Sequence, residues 1–279
     1  MNCMYDTLVL SGGGCKGMIQ IGALDYLYFK KNVDIFNIKY FYGTSIGAVV
    51  CLLLACDIEP CRVYENFCES CNEFPVNSAK KNLISLDVFL LRIEELIFNS
   101  MGYIPSLLQM KTKMGKYLTF TSYCLEDKEC VYISYETFPH ISCMNAVKMS
   151  CAIPYIFDEV KIDNKTYIDG GIADNFPLEI ALKWKTVKYK IFEPKKILGI
   201  LVEDDFYYEN TFTSYTINVF MIPIISSNKK ALAFAEKMGV PVIKILWKNN
   251  PRKMLYPDRR ELRTMFTKGQ IEVENQLKI

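Results

Sequence analysis

The chain has 279 residues, 51% of them hydrophobic, and its 33 lysines and arginines nearly balance its 31 aspartates and glutamates. This length and apolar content can supply a substantial core, whereas nothing in the near-neutral charge suggests the basic surface of a nucleic-acid-binding protein, so we expect no nucleic-acid partner. The 11 cysteines lack the paired spacing of zinc ligands and accompany a single histidine, so we expect no metal site and free thiols in a reducing, intracellular compartment.

The chain opens with an alternation of elements that is typical of α/β folds. Residues 6–10 are apolar and predict a strand, and residues 18–29 have the spacing of a helix. Residues 38–42 predict a second strand, which residues 46–56 follow as an apolar helix. This order predicts adjacent parallel strands joined by a right-handed crossover.

A glycine-rich loop joins the first strand to the first helix. It fits the pattern G-x-G-x-x-G and consists of Gly12, Gly13, Gly14, Cys15, Lys16 and Gly17. A dinucleotide site would need a carboxylate at the end of the second strand, where this chain has none. An oxyanion hole needs only unobstructed backbone N–H groups, to which Lys16 would add positive potential. We favour the oxyanion hole, because three consecutive glycines cost entropy that a plain connector does not require.

The second strand runs into a G-x-S-x-G motif formed by Gly43, Ser45 and Gly47. A serine on a sharp turn between strand and helix exposes its hydroxyl, and the helix N-terminus behind it favours negative charge. The flanking glycines let the chain turn without a Cβ clash. The motif therefore predicts acyl transfer through an ester of Ser45.

The rest of the chain continues the α/β pattern. The further predicted elements are a mostly helical region over 57–114, strands over 117–122 and 130–135, a helix over 142–151, strands over 166–168, 196–202 and 242–246, and a helix over 258–277. No repeat or linker divides the chain, so we expect one domain over residues 1–279.

No segment reads as a membrane span or a secretory signal. The longest uncharged apolar stretch, residues 46–56, falls short of the roughly 18–20 residues that a bilayer requires. The first residues lack a basic n-region, so we expect a cytoplasmic protein. Residues 217–225 are apolar but interrupted by Pro223, and we interpret them as a buried helix, with contact to a lipid interface or substrate chain as the alternative.

A serine nucleophile needs a base, and the single histidine restricts the choice. A Ser-His-Asp triad must use His140, which lies in a loop before a predicted helix, where we expect a surface or capping residue. The presence of a single histidine therefore favours a serine–carboxylate dyad.

The carboxylate that fits best is Asp169, which lies at a strand end and precedes Gly170 and Gly171. Two glycines after a carboxylate let it approach another loop closely, and burial would raise its pKa toward that of an effective base at pH 7. The structural alternative is a turn aspartate, which is common before glycine. Three other aspartates are rivals for the role of base: Asp158, Asp163 and Asp174.

The motifs at residues 12–17, 43–47 and 169–171 together resemble those of the patatin-like phospholipase family. Residues 149–157 are similar to the S-x-A-x-P-x-x-F segment before the family's catalytic aspartate, and residues 174–177 are similar to the N-x-P that follows it. The resemblance covers about residues 5–177. Gly171 departs from the alanine that many members have there.

This resemblance implies a three-layer α/β/α fold with a mainly parallel sheet, and hydrolysis of phospholipid esters without calcium or a cofactor. It implies Ser45 as nucleophile, Asp169 as base, and amides at about residues 13–15 as oxyanion hole beside Lys16. The implied partners are a lipid ester and a peripheral membrane surface, and the need for a protein activator stays open.

Two other functions stay open at this point. One is a serine thioesterase or acyltransferase that acts on a soluble substrate. The other is a non-catalytic lipid-binding scaffold, although the retained Ser45 and Asp169 argue against it.

Overall fold

A computed structural model describes residues 4–70, 86–154, 156–190, 192–206, 212–249 and 257–277. Its strands are β1 (Thr7–Leu10), β2 (Tyr40–Thr44), β3 (Tyr117–Cys124), β4 (Glu129–Ser134), β5 (Val160–Ile162), β6 (Lys165–Asp169), β7 (Ile197–Phe206) and β8 (Val242–Asn249). Its α-helices are α1 (Gly17–Phe29), α2 (Ile46–Ala55), α3 (Pro60–Ser70), α4 (Leu86–Met101), α5 (Leu107–Gln109), α6 (Cys143–Cys151), α7 (Gly171–Asp174), α8 (Leu178–Tyr189), α9 (Phe212–Met238) and α10 (Arg259–Gln276).

The described strands form one mixed sheet in the order β5-β6-β3-β2-β1-β7-β8, with β4 paired to β3. Strand β1 pairs in parallel with both β2 and β7, and the parallel pairing continues from β2 to β3 and from β7 to β8. Strand β3 pairs antiparallel with β4 and β6, and β5 pairs antiparallel with β6. The predicted parallel neighbours β1 and β2 are thus confirmed, and the antiparallel pairs extend the parallel centre on the β3 side.

Helices cover both faces of this sheet, because successive side chains of a strand point to opposite faces. Leu8 and Leu10 of β1 belong to a core that includes buried side chains of α1, α2, α6 and α10. Val9 belongs to a second core, built with α8 and α9. The predicted three-layer α/β/α arrangement is therefore confirmed.

Two helix starts follow local capping signals. The Asp258 carboxylate accepts a hydrogen bond from the Glu261 N–H at 2.8 Å, and the Glu261 carboxylate accepts one from the Asp258 N–H at 3.2 Å. This capping box starts α10 at the predicted position. Ser142 likewise caps α6 by accepting from the Asn145 N–H at 3.1 Å.

Residues 217–225 lie within α9, which continues through Pro223. The expectation of a buried helix is wrong at this segment, since Val219 and Ile222 are exposed. Within the described ranges, no helix combines the length and the apolar character needed to cross a membrane. Each cysteine that the structure describes is a free thiol.

Candidate active site

Ser45 occupies a strained turn between β2 and α2. Its φ of 55° and ψ of −126° lie in a region that residues other than glycine rarely adopt. The Ser45 N–H donates to Ser150 Oγ at 2.9 Å, and that hydroxyl donates to the Thr121 carbonyl at 2.6 Å. Ser150 therefore ties the strained turn to β3, a role that the motif over residues 149–157 did not reveal.

The glycine after Ser45 lets this turn pack directly against the first strand. A Cβ at Gly47 would lie 2.6 Å from the carbonyl oxygens of Leu10 and Ser11, closer than atoms can approach. Gly47 is thus required for close approach of two backbones. The structure brings the elbow and the start of the glycine-rich loop into contact through it.

The register of the sheet brings Asp169 to Ser45. Thr44 at the end of β2 pairs with Thr121, and Asp169 at the end of β6 pairs with the next residue, Ser122. Strand β4 occupies the other edge of β3, so β2 and β6 lie end to end along one edge. Their C-terminal ends therefore meet. This places Ser45, the residue after β2, next to Asp169, the last residue of β6.

Burial sets the electrostatics of Asp169, whose side chain is almost fully enclosed. Desolvation raises the pKa of Asp169 from 3.8 to about 6, against opposing hydrogen-bond contributions from the Ser45 side chain and the Gly171 N–H. Oδ1 accepts from the Gly171 N–H at 2.7 Å, whereas no donor among the described residues meets Oδ2 with standard hydrogen-bond geometry. The Ser45 side chain thus interacts with the Asp169 carboxylate, and Oδ2 retains its capacity to accept a proton.

The glycine-rich loop lies next to Ser45, and some of its N–H groups are already hydrogen-bonded to carbonyls of the protein. The N–H of Gly12 donates to the Asn175 carbonyl at 3.0 Å, and that of Lys16 donates to the Gly13 carbonyl at 3.3 Å. Gly17 donates to carbonyls of its own loop. No acceptor in the described part of the chain takes a hydrogen bond from the N–H of Gly13 or Gly14. Gly14 has a φ of 58°, which suits glycine.

A cavity of about 420 Å³ opens where these loops meet. Its loop side is formed by Gly12, Gly13, Gly14, Lys16, Ser45, Asp169, Gly171 and Asn175. Its opposite wall is part of α9 and consists of Phe220, Met221, Ile224, Ile225, Asn228 and Lys229. Further side chains at its edges are Ile153, Pro154, Ile156, Val202 and Glu203. The predicted nucleophile and base thus share one cavity with the predicted glycine loop.

A buried pair of amides joins the two walls of this cavity. Asn175 donates through Nδ2 to Asn228 Oδ1 at 3.0 Å, and both side chains are buried. The Asn175 backbone N–H donates to Ser227 Oγ at 3.3 Å. The sequence offered no motif for Asn228, whose only signal was its place one turn beyond the apolar run that ends at Ile225.

The rival acids and the histidine lie elsewhere. Asp174 accepts a hydrogen bond from the Tyr132 hydroxyl at 2.9 Å and does not line the cavity. Asp158 and Asp163 are exposed. His140 is also exposed and is not among the residues that line the cavity.

Known proteins resemble this chain at two levels. A family model described as patatin-like phospholipase matches residues 8–182. The probable lipid hydrolase 463L of Invertebrate iridescent virus 6 is 34% identical over 205 residues, which cover 67% of this chain and 66% of that protein. The match therefore spans slightly less than two thirds of the viral relative's length.

Solved structures with the same fold are more distant in sequence. VipD from Legionella pneumophila has a TM-score of 0.55 at 15% identity, with 98% of this chain and 67% of that chain covered. ExoU, in the ExoU–SpcU complex of Pseudomonas aeruginosa, has a TM-score of 0.51 at 15% identity, with 99% of this chain and 52% of that chain covered. At such identities the likeness concerns the fold alone.

Proposed function

The chain belongs to the patatin-like phospholipase family, and on that premise we propose that it is a lipid hydrolase that cleaves the carboxylic esters of glycerophospholipids through Ser45 and Asp169. One observation carries the proposal. A buried aspartate with an unpartnered oxygen and a raised pKa lies beside a serine on a strained elbow, inside a cavity with an apolar wall. Such an arrangement supplies a nucleophile and a base in one water-poor space.

The first half-reaction forms an acyl-enzyme. Ser45 Oγ attacks the ester carbonyl carbon while its proton moves to Asp169 Oδ2. The negative charge that develops on the carbonyl oxygen accepts hydrogen bonds from the N–H groups of Gly13 and Gly14. When the tetrahedral intermediate collapses, the bond to the lysophospholipid oxygen breaks, and that oxygen takes the proton from Asp169.

The second half-reaction regenerates the enzyme. A water molecule gives a proton to Asp169 and attacks the acyl carbon of the Ser45 ester. The ester bond breaks, Ser45 recovers the proton, and the fatty acid leaves. One carboxylate serves both steps, since its pKa near 6 keeps it largely ionised at pH 7 and still basic enough to accept a proton.

The chemistry of the cavity wall favours a phospholipid. Phe220, Ile224 and Ile225 offer apolar contact to an acyl chain, and Lys16 and Lys229 bring positive charge to the same cavity. Glu203 also lines it, but its carboxylate pairs with the Lys244 ammonium at 2.7 Å. The combination suits a substrate with an apolar tail and an anionic phosphate.

The decisive experiment measures fatty-acid release from phosphatidylcholine vesicles by the full chain and three variants. Ser45→Ala and Asp169→Asn should each lower the rate by about 10³-fold or more, because each removes a partner in proton transfer. Asp163→Asn is the matched control, an exposed aspartate away from the cavity, and should retain the wild-type rate. Equal release by all four proteins would overturn the proposal. Since no step requires calcium, a chelator should leave the rate unchanged.

A fluorophosphonate probe separates the remaining alternatives. Labelling of the wild type, with none of Ser45→Ala, is expected of a serine hydrolase and would exclude a scaffold. Labelling together with hydrolysis of acyl thioesters, and without release from vesicles, would favour a thioesterase with a soluble substrate.

A further inference from the structure

Helix α9 presents an apolar stripe to the outside of the molecule. Tyr215, Val219 and Ile222 are 57%, 46% and 62% exposed. Their spacing of four and three residues places them on one face of the helix. The opposite face carries the buried Ala231 and Ala235. The stripe is therefore a genuine outer surface of a helix that packs on the sheet.

This stripe is continuous with the mouth of the cavity. Ile225 lines the cavity and is still 38% exposed, and Lys229 also lines it and is exposed. Both lie within two turns of Ile222 along α9. A surface that covers the stripe would therefore also face the entrance to Ser45.

Positive charge lies at one end of this stripe. Lys229 and Lys230 are exposed at the end of the stripe, and no carboxylate in the described ranges forms an ion pair with either. Exposed apolar side chains beside unpaired lysines are the usual composition of helices that lie on anionic membranes.

From these observations we infer that the outer face of α9, formed by Tyr215, Val219 and Ile222 with Lys229 and Lys230 at its end, docks on the surface of an anionic bilayer. The inference rests on the proposed function, since docking there would bring the cavity to its lipid substrate. A folded protein partner fits less well, because a stripe one helix wide offers far less than the roughly 800 Å² per partner of a specific protein interface.

Binding can be measured apart from catalysis in the full-length Ser45→Ala protein. The fraction of protein that sediments with vesicles is measured for two compositions, phosphatidylcholine alone and phosphatidylcholine with about one third phosphatidylserine. Adding Val219→Asp and Ile222→Asp together should reduce partitioning onto the anionic vesicles about tenfold, because two apolar side chains that would contact the bilayer are replaced by negative charges, which anionic lipids repel. Lys229→Gln with Lys230→Gln should abolish the preference for anionic over neutral vesicles.

Ile271→Asp is the matched control, since Ile271 is 46% exposed on α10, outside the cavity lining, and should bind like the parent. Unchanged binding of the Val219→Asp/Ile222→Asp variant, or an equal loss with Ile271→Asp, would overturn the inference. So would a concentration-dependent dimer that Ile222→Asp dissociates while vesicle binding persists.

A monomeric short-chain ester tests folding and keeps the two proposals distinguishable. With Ser45 intact, Val219→Asp/Ile222→Asp should hydrolyse this ester at the wild-type rate, since neither residue lines the cavity. A lost rate on that ester would mean a damaged fold, and the milder Ile222→Ser would then replace the double variant in both assays. If the wild type hydrolyses no ester, the proposed function is wrong. If the variants hydrolyse the short-chain ester but show no selective loss of vesicle binding, only the docking surface is wrong.

Discussion

The two walls of the cavity are built on different principles. The loop wall is made largely of backbone, with the elbow, the glycine-rich loop and the Asp169 turn held by buried hydrogen bonds such as that from the Ser45 N–H to Ser150. The α9 wall is made of side chains on one helix, and several of them remain partly exposed. The loop wall positions the reacting atoms, and catalysis tolerates little displacement of them. The α9 wall supplies shape and apolar area, which several different side chains can provide.

Adding one methyl group to the loop wall should have the largest effect. Gly47→Ala places a Cβ 2.6 Å from the carbonyl oxygens of Leu10 and Ser11, at the end of β1, so the elbow must move. We expect kcat/KM on a monomeric ester to fall about 10²-fold and the free energy of unfolding to fall by about 1–3 kcal/mol.

The matched control for this substitution is Gly239→Ala. Its φ of 71° disfavours alanine, but a Cβ there has open space, so stability should fall by about 1 kcal/mol with no loss of kcat/KM. Wild-type activity in Gly47→Ala would refute the rigid loop wall.

The pH dependence tests the electrostatics of the same wall. Burial raises the pKa of Asp169 to about 6, and only its ionised form can accept the Ser45 proton. The rate on a monomeric ester should therefore rise with pH to a plateau above about 6, and fall about tenfold per pH unit below it. A midpoint near the ordinary aspartate value of 3.8 would mean that the carboxylate is solvated during the reaction.

Substituting the base should stabilise the protein at neutral pH. Because the pKa of Asp169 is higher in the folded chain than its ordinary value of 3.8, the stabilisation from its protonated form is complete below about pH 4 and is lost as pH rises through about 6. That loss amounts to about 3 kcal/mol at most.

The neutral Asp169→Asn variant should escape this loss. Denaturant unfolding should find it about 1–3 kcal/mol more stable relative to wild type at pH 7.5 than at pH 4. An identical difference at both pH values would show that Asp169 carries no unfavourable charge in the folded state.

The same contrast between walls explains what the sequence could predict. Gly47 and Ser45 left a readable motif because backbone geometry restricts the residue types there. The apolar wall left no motif, since many side chains satisfy it. From the sequence, Pro223 is expected to interrupt the apolar segment over residues 217–225. In the structure, α9 continues through Pro223, which is exposed.

The pairing of strands that are far apart in the chain could not be predicted from the sequence, for a different reason. The approach of Asp169 to Ser45 depends on β2 and β6 sharing one edge of β3. Each strand was predicted from its own apolar pattern, but its edge and register depend on partners far away in the chain. Hydrogen bonds such as that from the Ser45 N–H to Ser150 Oγ follow from that register and could not be predicted without it.

A substitution in the α9 wall should have a modest effect on preference. Ile224→Ala removes apolar contact from the cavity and should raise KM for a long-chain ester about fivefold relative to a short-chain ester, with kcat little changed. Ile271→Ala, exposed on α10, should alter neither value. A loss of kcat as large as that of Gly47→Ala would erase the distinction between the walls.

The smallest effect is expected from the single histidine. His140 is exposed and lies outside the cavity lining, so His140→Ala should keep the rate on a monomeric ester within about twofold, as surface substitutions usually do. It should also leave the pH midpoint near 6 in place, because that midpoint belongs to Asp169. A fall of about 10³-fold, or a displaced midpoint, would instead require a triad and a chain conformation in which His140 reaches Ser45.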